Sequence, residues 1–160
     1  MTDPEPGVDF GDARRSLSRE VRSALLAEIG TRETYTRLAP RVEDEELARL
    51  LRGMADEGGE AIAAVRAALG ELGGQGDERG RRRRLRARCL AASSRWLGAR
   101  AVLRVSAEDE QALARGYDQC AVFLAALGER SLAERFQRLA DQKRVRAQAL
   151  AAWIGGLRRS

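Results

Sequence analysis

The chain has 160 residues, of which 33% are charged and 4% aromatic, and its formal net charge is +5. This length predicts one domain with a sizeable core, and a composition dominated by Ala, Leu, Arg and Glu is typical of helices. The sequence contains no histidine, which excludes haem-type, hemerythrin-type and zinc–histidine sites, a Ser/His/Asp triad and a histidine pH switch.

The start of the chain and its cysteines are those expected of a cytoplasmic protein. No apolar run approaches 18 residues, so neither a transmembrane helix nor a membrane partner is expected, and the acidic start MTDPEPGVDFGD is unlike a signal peptide. We expect residues 1–10 to form a disordered tail before a single domain over 11–157. Cys89 and Cys120 lack metal-type spacing and are expected to be buried, reduced thiols.

Two helices are predicted in the first half. The first runs from about residue 11 to Ala39, where Pro40 stops it. The second, over about 43–72, opens with the acidic VEDEEL and ends at the LGG of 72–74. Both carry an apolar stripe at alternating steps of three and four residues, as amphipathic helices do.

A basic crossover is predicted next, at about 74–92. The linker QGDERG leads into an arginine run whose members are Arg81, Arg82, Arg83, Arg84, Arg86 and Arg88. Residues 1–80 carry a net charge of −6 and residues 81–160 a net charge of +11. The run is either a site for phosphate backbone or an acidic protein, or a solvated segment that pairs with the acidic first half. No aromatic residue interleaves with it, so stacking on single strands is not expected.

The second half continues the helical period from about residue 93 to the turn LGERS. SAED at 106–109 has the pattern of a capping box, and either opens a new helix or lies within one long helix. A last helix is predicted over about 131–154. Its apolar stripe is read as Leu132, Phe136, Leu139, Val145, Leu150 and Ile154.

The two halves of the sequence repeat. Glu28 and Tyr35 are seven residues apart, as are Glu110 and Tyr117. LARLLRGMADE of the second helix aligns without a gap with LAERFQRLADQ of the last helix. This repeat predicts an all-α four-helix bundle of two helical hairpins joined by a long, partly helical crossover.

The repeated pattern, a glutamate, a tyrosine two turns later and Glu-x-x-(His) in the next helix, resembles the ferritin-like superfamily, rubrerythrin and its relatives. The resemblance covers most of residues 15–155 and predicts hairpins at about 11–73 and 93–157. In the metal-binding members, two glutamates and two Glu-x-x-His pairs hold two metal ions. Carried over by position, the resemblance implies four candidate ligands: Glu28, Glu57, Glu60 and Glu110.

The second Glu-x-x-His pair has no metal ligands in this sequence. The gapless alignment places Gln142 and Val145 there. A shift by one residue would place Lys143 and Arg146 there, but it breaks the apolar pairing downstream. The oxygen activation or ferroxidase chemistry that the resemblance implies is therefore not expected, since a dimetal site needs ligands on both ions.

Four buried carboxylates need a neutralising group, because burying them unpaired is costly. One interpretation is a single hard ion, such as manganese, magnesium or calcium, on an all-oxygen ligand set. The other is an inherited polar layer, paired with Arg32 or with arginines of the last helix, into which Tyr35 and Tyr117 hydrogen-bond.

The sequence therefore predicts a non-catalytic, degenerate ferritin-like bundle, without a cofactor, that acts through binding or assembly. A homodimer or other homo-oligomer is expected. The first alternative is a metal-binding protein that uses the carboxylate cluster to hold iron or manganese. The second alternative is a nucleic-acid-associated protein that uses the arginine run.

Overall fold

The computed structural model describes residues 10–74 and 81–156, and the side chains of 11–74, 98 and 100–156. This part of the chain is helical and contains no strand. Its helices are α1 (Phe10–Leu38), α2 (Glu45–Glu71), α3 (Arg81–Ala126) and α4 (Arg130–Gly156), with a short 3-10 helix at Ala39–Arg41. None of these helices is long and apolar enough to cross a membrane.

Local sequence signals set the bounds of α1 and α2. Pro40 lies in the 3-10 turn that follows α1, because a proline lacks the N–H that would continue the helix. Asp44 caps α2 by accepting hydrogen bonds from the backbone N–H groups of Glu46 and Leu47, each at 2.9 Å. At the other end of α2, Gly73 adopts a φ of 76°, which permits the predicted LGG stop.

Helix α3 changes direction at Gly98. There φ is 77° and ψ is 153°, a conformation that glycine adopts and that residues with a Cβ rarely do. The helix therefore consists of two segments, 81–97 and 99–126, and the SAED motif lies inside the second segment. The predicted LGERS turn is confirmed, with Gly128 at a φ of 82° between α3 and α4.

Packing between the helices is uneven. Helix α1 packs along α2 and α3, and α3 packs along α4, whereas α2 and α4 meet at few points. Apolar side chains form two separate clusters. The first contains Tyr117 and Phe136 and draws on the end of α2 and the start of α4. The second contains Tyr35 and Leu103 and draws on the start of α2 and the end of α4. Helices α2 and α4 therefore run antiparallel.

The burial pattern of α4 repeats that of α2 in the gapless alignment, but the residues that face inward at the centre of the two helices are not the predicted ones. Val145, expected in the apolar stripe, is 65% exposed, and Gln142 is exposed too. Lys143 and Arg146 point inward instead, with exposures of 0% and 4%. The gapless alignment pairs these two cations with Gly58 and Ala61, which α2 buries, so each helix turns inward the residue that follows the predicted ligand position.

Candidate functional site

A polar layer separates the two apolar clusters. It consists of Glu28 from α1, Glu110 from α3, and Lys143 and Arg146 from α4, all of them buried. Two tyrosines border it, one in each cluster. Buried charges on this scale persist only when they are paired and hydrogen-bonded, so the contacts within the layer decide its chemistry.

The tyrosines connect α1 and α3 in a reciprocal arrangement. The hydroxyl of Tyr35 donates to Glu110 Oε1 at 2.7 Å, and the hydroxyl of Tyr117 donates to Glu28 Oε1 at 2.7 Å. Each helix thus supplies one carboxylate and one phenol, and each phenol satisfies the carboxylate of the other helix. The predicted hydrogen bonds from both tyrosines into the polar layer are confirmed.

Lys143 lies between the two carboxylates. Its Nζ donates to Glu28 Oε2 at 2.7 Å and lies 3.2 Å from Glu110 Oε2. The contact with Glu110 is an ion pair without the alignment of a hydrogen bond. An ammonium with three rotatable donors can serve two carboxylates at once, which the planar guanidinium of arginine does less readily. Lys143 is the only lysine in the sequence.

Arg146, one turn further along α4, forms the outer part of the layer. Its Nε donates to Glu57 Oε2 at 3.0 Å, its Nη2 lies 2.9 Å from the same oxygen, and its Nη1 lies 4.0 Å from Glu110 Oε1. The Glu57 side chain is 59% exposed, although the arginine is buried. Glu60, the remaining candidate, is exposed.

Burial shifts the titration of several of these groups. Desolvation raises the pKa of Glu110, and the nearby Lys143 ammonium and the Tyr35 hydrogen bond oppose that rise. Desolvation, strengthened by the neighbouring carboxylates, raises the pKa values of Tyr35 and Tyr117 well above the ordinary tyrosine range. Both phenols therefore remain protonated donors at neutral pH and cannot act as bases.

The residues present do not fit the dimetal site that the resemblance implies. Only Glu28 and Glu110 of the four candidate ligands converge, and an ammonium already lies between them. In the described part of the chain, no group of three or more Asp, Glu or Cys side chains is placed to hold an ion. A further cation entering the layer would meet two positive charges, from Lys143 and Arg146.

Arg32, the other cation considered as a partner for the carboxylates, has a different contact. Its Nε donates to the backbone oxygen of Ala55 at 3.2 Å. The two adjacent glycines of α2 lie against this side chain, and a Cβ on Gly58 would lie 3.4 Å from Arg32 Cβ and one on Gly59 would lie 3.7 Å from Arg32 Nε. Both are ordinary van der Waals distances, so the contact between α1 and α2 does not require a glycine at either position.

The remaining predicted sites are placed only in part. The backbone of the arginine run belongs to the first segment of α3. The structure does not describe the side chain of Cys89 or those of the run itself: Arg81, Arg82, Arg83, Arg84, Arg86 and Arg88. Cys120 is a buried free thiol, and burial raises its pKa to about 11, so it is a poor nucleophile at neutral pH.

No protein-family model, curated protein or solved structure matches the chain.

Proposed function

We propose that the chain is a ferritin-like four-helix bundle whose central site is a permanent ion-pair cluster, and that it acts through binding or assembly rather than through metal chemistry. The pairing of α1 with α2 and of α3 with α4 supports a bundle of two hairpins. The reciprocal tyrosine–glutamate hydrogen bonds between α1 and α3 support the internal repeat on which the resemblance rests.

The position of Lys143 carries this proposal. Its Nζ lies 2.7 Å from an oxygen of Glu28 and 3.2 Å from an oxygen of Glu110. That is where an ion bridging these two carboxylates would have to lie, and the ammonium supplies the positive charge that the carboxylates need. Because the lysine belongs to the chain, its charge cannot be removed by a chelator and the cluster does not depend on metal supply.

Metal content tests the proposal directly. The protein, purified after expression with added iron and manganese, is expected to carry no stoichiometric metal, and its thermal unfolding midpoint is expected not to change with Mn²⁺. Lys143→Met removes the charge and keeps an apolar stem, so this variant should gain stability when Mn²⁺ is added. Arg144→Met, an exposed neighbour on the same helix, is the matched control and should gain none.

The opposite result would restore the metal-binding alternative. About one ion per wild-type chain, lost in Glu110→Gln while the variant stays folded, would show that the carboxylates hold a metal despite the neighbouring ammonium. The nucleic-acid alternative and the expected homo-oligomer stay predictions, and neither follows from the polar layer.

A further inference from the structure

An open groove runs between α2 and α4, where the two helices barely touch. Its volume is about 730 Å³, within the range of about 300–1,000 Å³ typical of small-molecule sites. Five apolar or small residues line it: Leu50, Gly53, Met54, Val145 and Ala149. Charged residues from both helices line it as well.

One buried cation lines this groove. Arg146 is 4% exposed, and its neighbours on α2 are the partly exposed Glu57 and the buried Met54. Both of its nitrogens that contact Glu57 share one oxygen, Oε2, and the contact from Nη2 lacks the alignment of a hydrogen bond. The guanidinium is therefore not held by the two-oxygen, two-nitrogen pairing in which arginine binds carboxylates best.

We propose that this groove binds an amphiphilic monocarboxylate, with its carboxylate on Arg146 in place of Glu57 and its hydrocarbon chain along Leu50 and Met54. The inference deepens the binding role proposed above and rests on it.

The geometry of the groove sets the direction of the chain. Because α2 and α4 run antiparallel, Met54 lies one turn before Glu57 while Ala149 lies one turn after Arg146, so both are on the same side of the ion pair. Leu50 lies a further turn along α2. From Glu46 to Glu57 the α2 wall of the groove is roughly 16 Å long at 1.5 Å per residue, which accommodates an extended hydrocarbon chain.

The charges favour a carboxylate over other head groups. Glu57 is 59% exposed, so its carboxylate can turn into solvent, and a ligand carboxylate that takes its place keeps the buried guanidinium paired. Once Glu57 turns outward, Nε and Nη2 of Arg146 can donate to the groove, and the nearest remaining carboxylate among its ion-pair partners in the described residues is Glu110, at 4.0 Å. A ligand carboxylate can accept both hydrogen bonds, whereas an ammonium would be repelled by Arg146 and Lys143.

Calorimetric titration with dodecanoate, dodecanol and dodecyltrimethylammonium tests the assignment. Dodecanoate is expected to bind at one site per chain. The affinities of dodecanol and dodecyltrimethylammonium should be lower by about tenfold or more, because neither carries a charged acceptor for the hydrogen bonds of Arg146. Equal binding of dodecanoate and dodecanol would overturn the role of Arg146, and no binding of dodecanoate would overturn the site.

Variants separate the groove from the rest of the surface. Glu57→Gln removes the competing carboxylate and should bind dodecanoate several-fold more tightly. Ala149→Glu places a negative charge in the groove and should weaken binding about tenfold or more, whereas Ala152→Glu, on the exposed side of the same helix, should not. Dodecanoate binding unchanged in Ala149→Glu would place the ligand elsewhere.

The outcomes are distinguishable from those of the metal test. Stoichiometric metal that is lost in Glu110→Gln contradicts the proposed function whatever the groove binds. An absence of metal together with an absence of dodecanoate binding overturns the ligand assignment and leaves the ion-pair cluster unaffected. If dodecanoate does not bind but the chain self-associates, and Ala149→Glu abolishes that association, the groove is an interface between copies rather than a ligand site.

Discussion

Helices α1 and α3 contribute the same pair of side chains to the polar layer, whereas α4 contributes two cations and α2 contributes no buried charge. Tyr35 of α1 donates to Glu110 of α3, and Tyr117 of α3 donates to Glu28 of α1, in two hydrogen bonds of equal length, 2.7 Å. Of the other two helices, α4 turns two cations inward, whereas Glu57 and Glu60 of α2 are exposed. An internally repeated chain can thus keep one half of a buried site symmetric and place charge in only one of the two other helices, as long as the interior stays neutralised.

The largest effect should come from removing the inward cation of α4. Lys143→Met leaves two buried carboxylates facing each other with only the more distant guanidinium of Arg146, 4.0 Å from Glu110, as a positive partner among their described ion-pair contacts, and we expect a loss of about 3–5 kcal/mol in the free energy of unfolding. Arg144→Met, whose partners Asp118 and Asp141 lie at the surface, should lose much less. Urea unfolding of both variants measures the difference, and similar losses would contradict the central place given to Lys143.

The symmetry of α1 and α3 predicts two nearly equal effects. Tyr35→Phe and Tyr117→Phe each keep the ring and remove one hydrogen bond to a buried carboxylate. Each should cost about 1.5–3 kcal/mol in unfolding free energy, the range for hydrogen bonds to charged groups. Chemical unfolding of the two variants under one set of conditions is the measurement. A large difference between the two losses would show that the reciprocal hydrogen bonds have the same length but stabilise the protein unequally.

Glu110 predicts a pH dependence with a definite sign. Burial raises its pKa in the folded state above the ordinary value of about 4.3, so over the interval between those two values the folded chain binds more protons than the unfolded chain. Its contribution to stability is therefore greatest below the ordinary pKa and falls as pH rises through the folded value, by at most about 1.4 kcal/mol per pH unit.

Unfolding free energies of the wild type and of Glu110→Gln, measured from pH 4 to pH 7, should isolate this contribution. The wild-type stability minus the variant stability should fall over the lower part of this range. Glu60→Gln alters an exposed carboxylate outside the polar layer and is the control. A difference that rises with pH for Glu110→Gln would mean that pairing with Lys143 outweighs the effect of burial.

The smallest effect concerns the pair of glycines in α2, the helix that keeps its acids outside. An added Cβ at Gly58 meets Arg32 at ordinary contact distance, so Gly58→Ala should gain up to about 1 kcal/mol from helix propensity. Gly98→Ala makes the same substitution at a φ of 77° and should instead lose stability. Thermal unfolding compares the two, and a loss at Gly58 would show a closer α1–α2 contact than the distances indicate.

The helices could be predicted from the sequence, but half of the site could not. Periodicity, Pro40, the LGG stop and the LGERS turn place the ends of α1, α2 and α4 within about two residues, because each signal acts locally on the backbone. Glu28 and Glu110 are identified by the repeat. The position of the break at Gly98 could not be predicted, because the apolar period continues on both sides of it and a lone glycine inside a helix does not by itself end the helix.

The inward face at the centre of α4 differs from the prediction for a physical reason. Apolar matching favours burying Val145 and disfavours burying a lysine, so it places Val145, rather than Lys143 and Arg146, in the inward stripe. That preference reverses when the interior already holds unpaired carboxylates, a long-range condition that no local pattern reports. One signal was present in the sequence: among 29 Lys and Arg residues, Lys143 is the only lysine.

The slight contact between α2 and α4 also bears on the order in which the structure comes apart. Helix α2 packs along its length mainly against α1, whereas α1 and α3 each pack against two helices. A helix that packs against one neighbour unfolds locally at a lower free energy than a helix that packs against two. Native-state hydrogen exchange should therefore be faster in α2 than in residues 99–126 of α3, and α2 is the helix that can move aside transiently while the rest of the polar layer stays assembled.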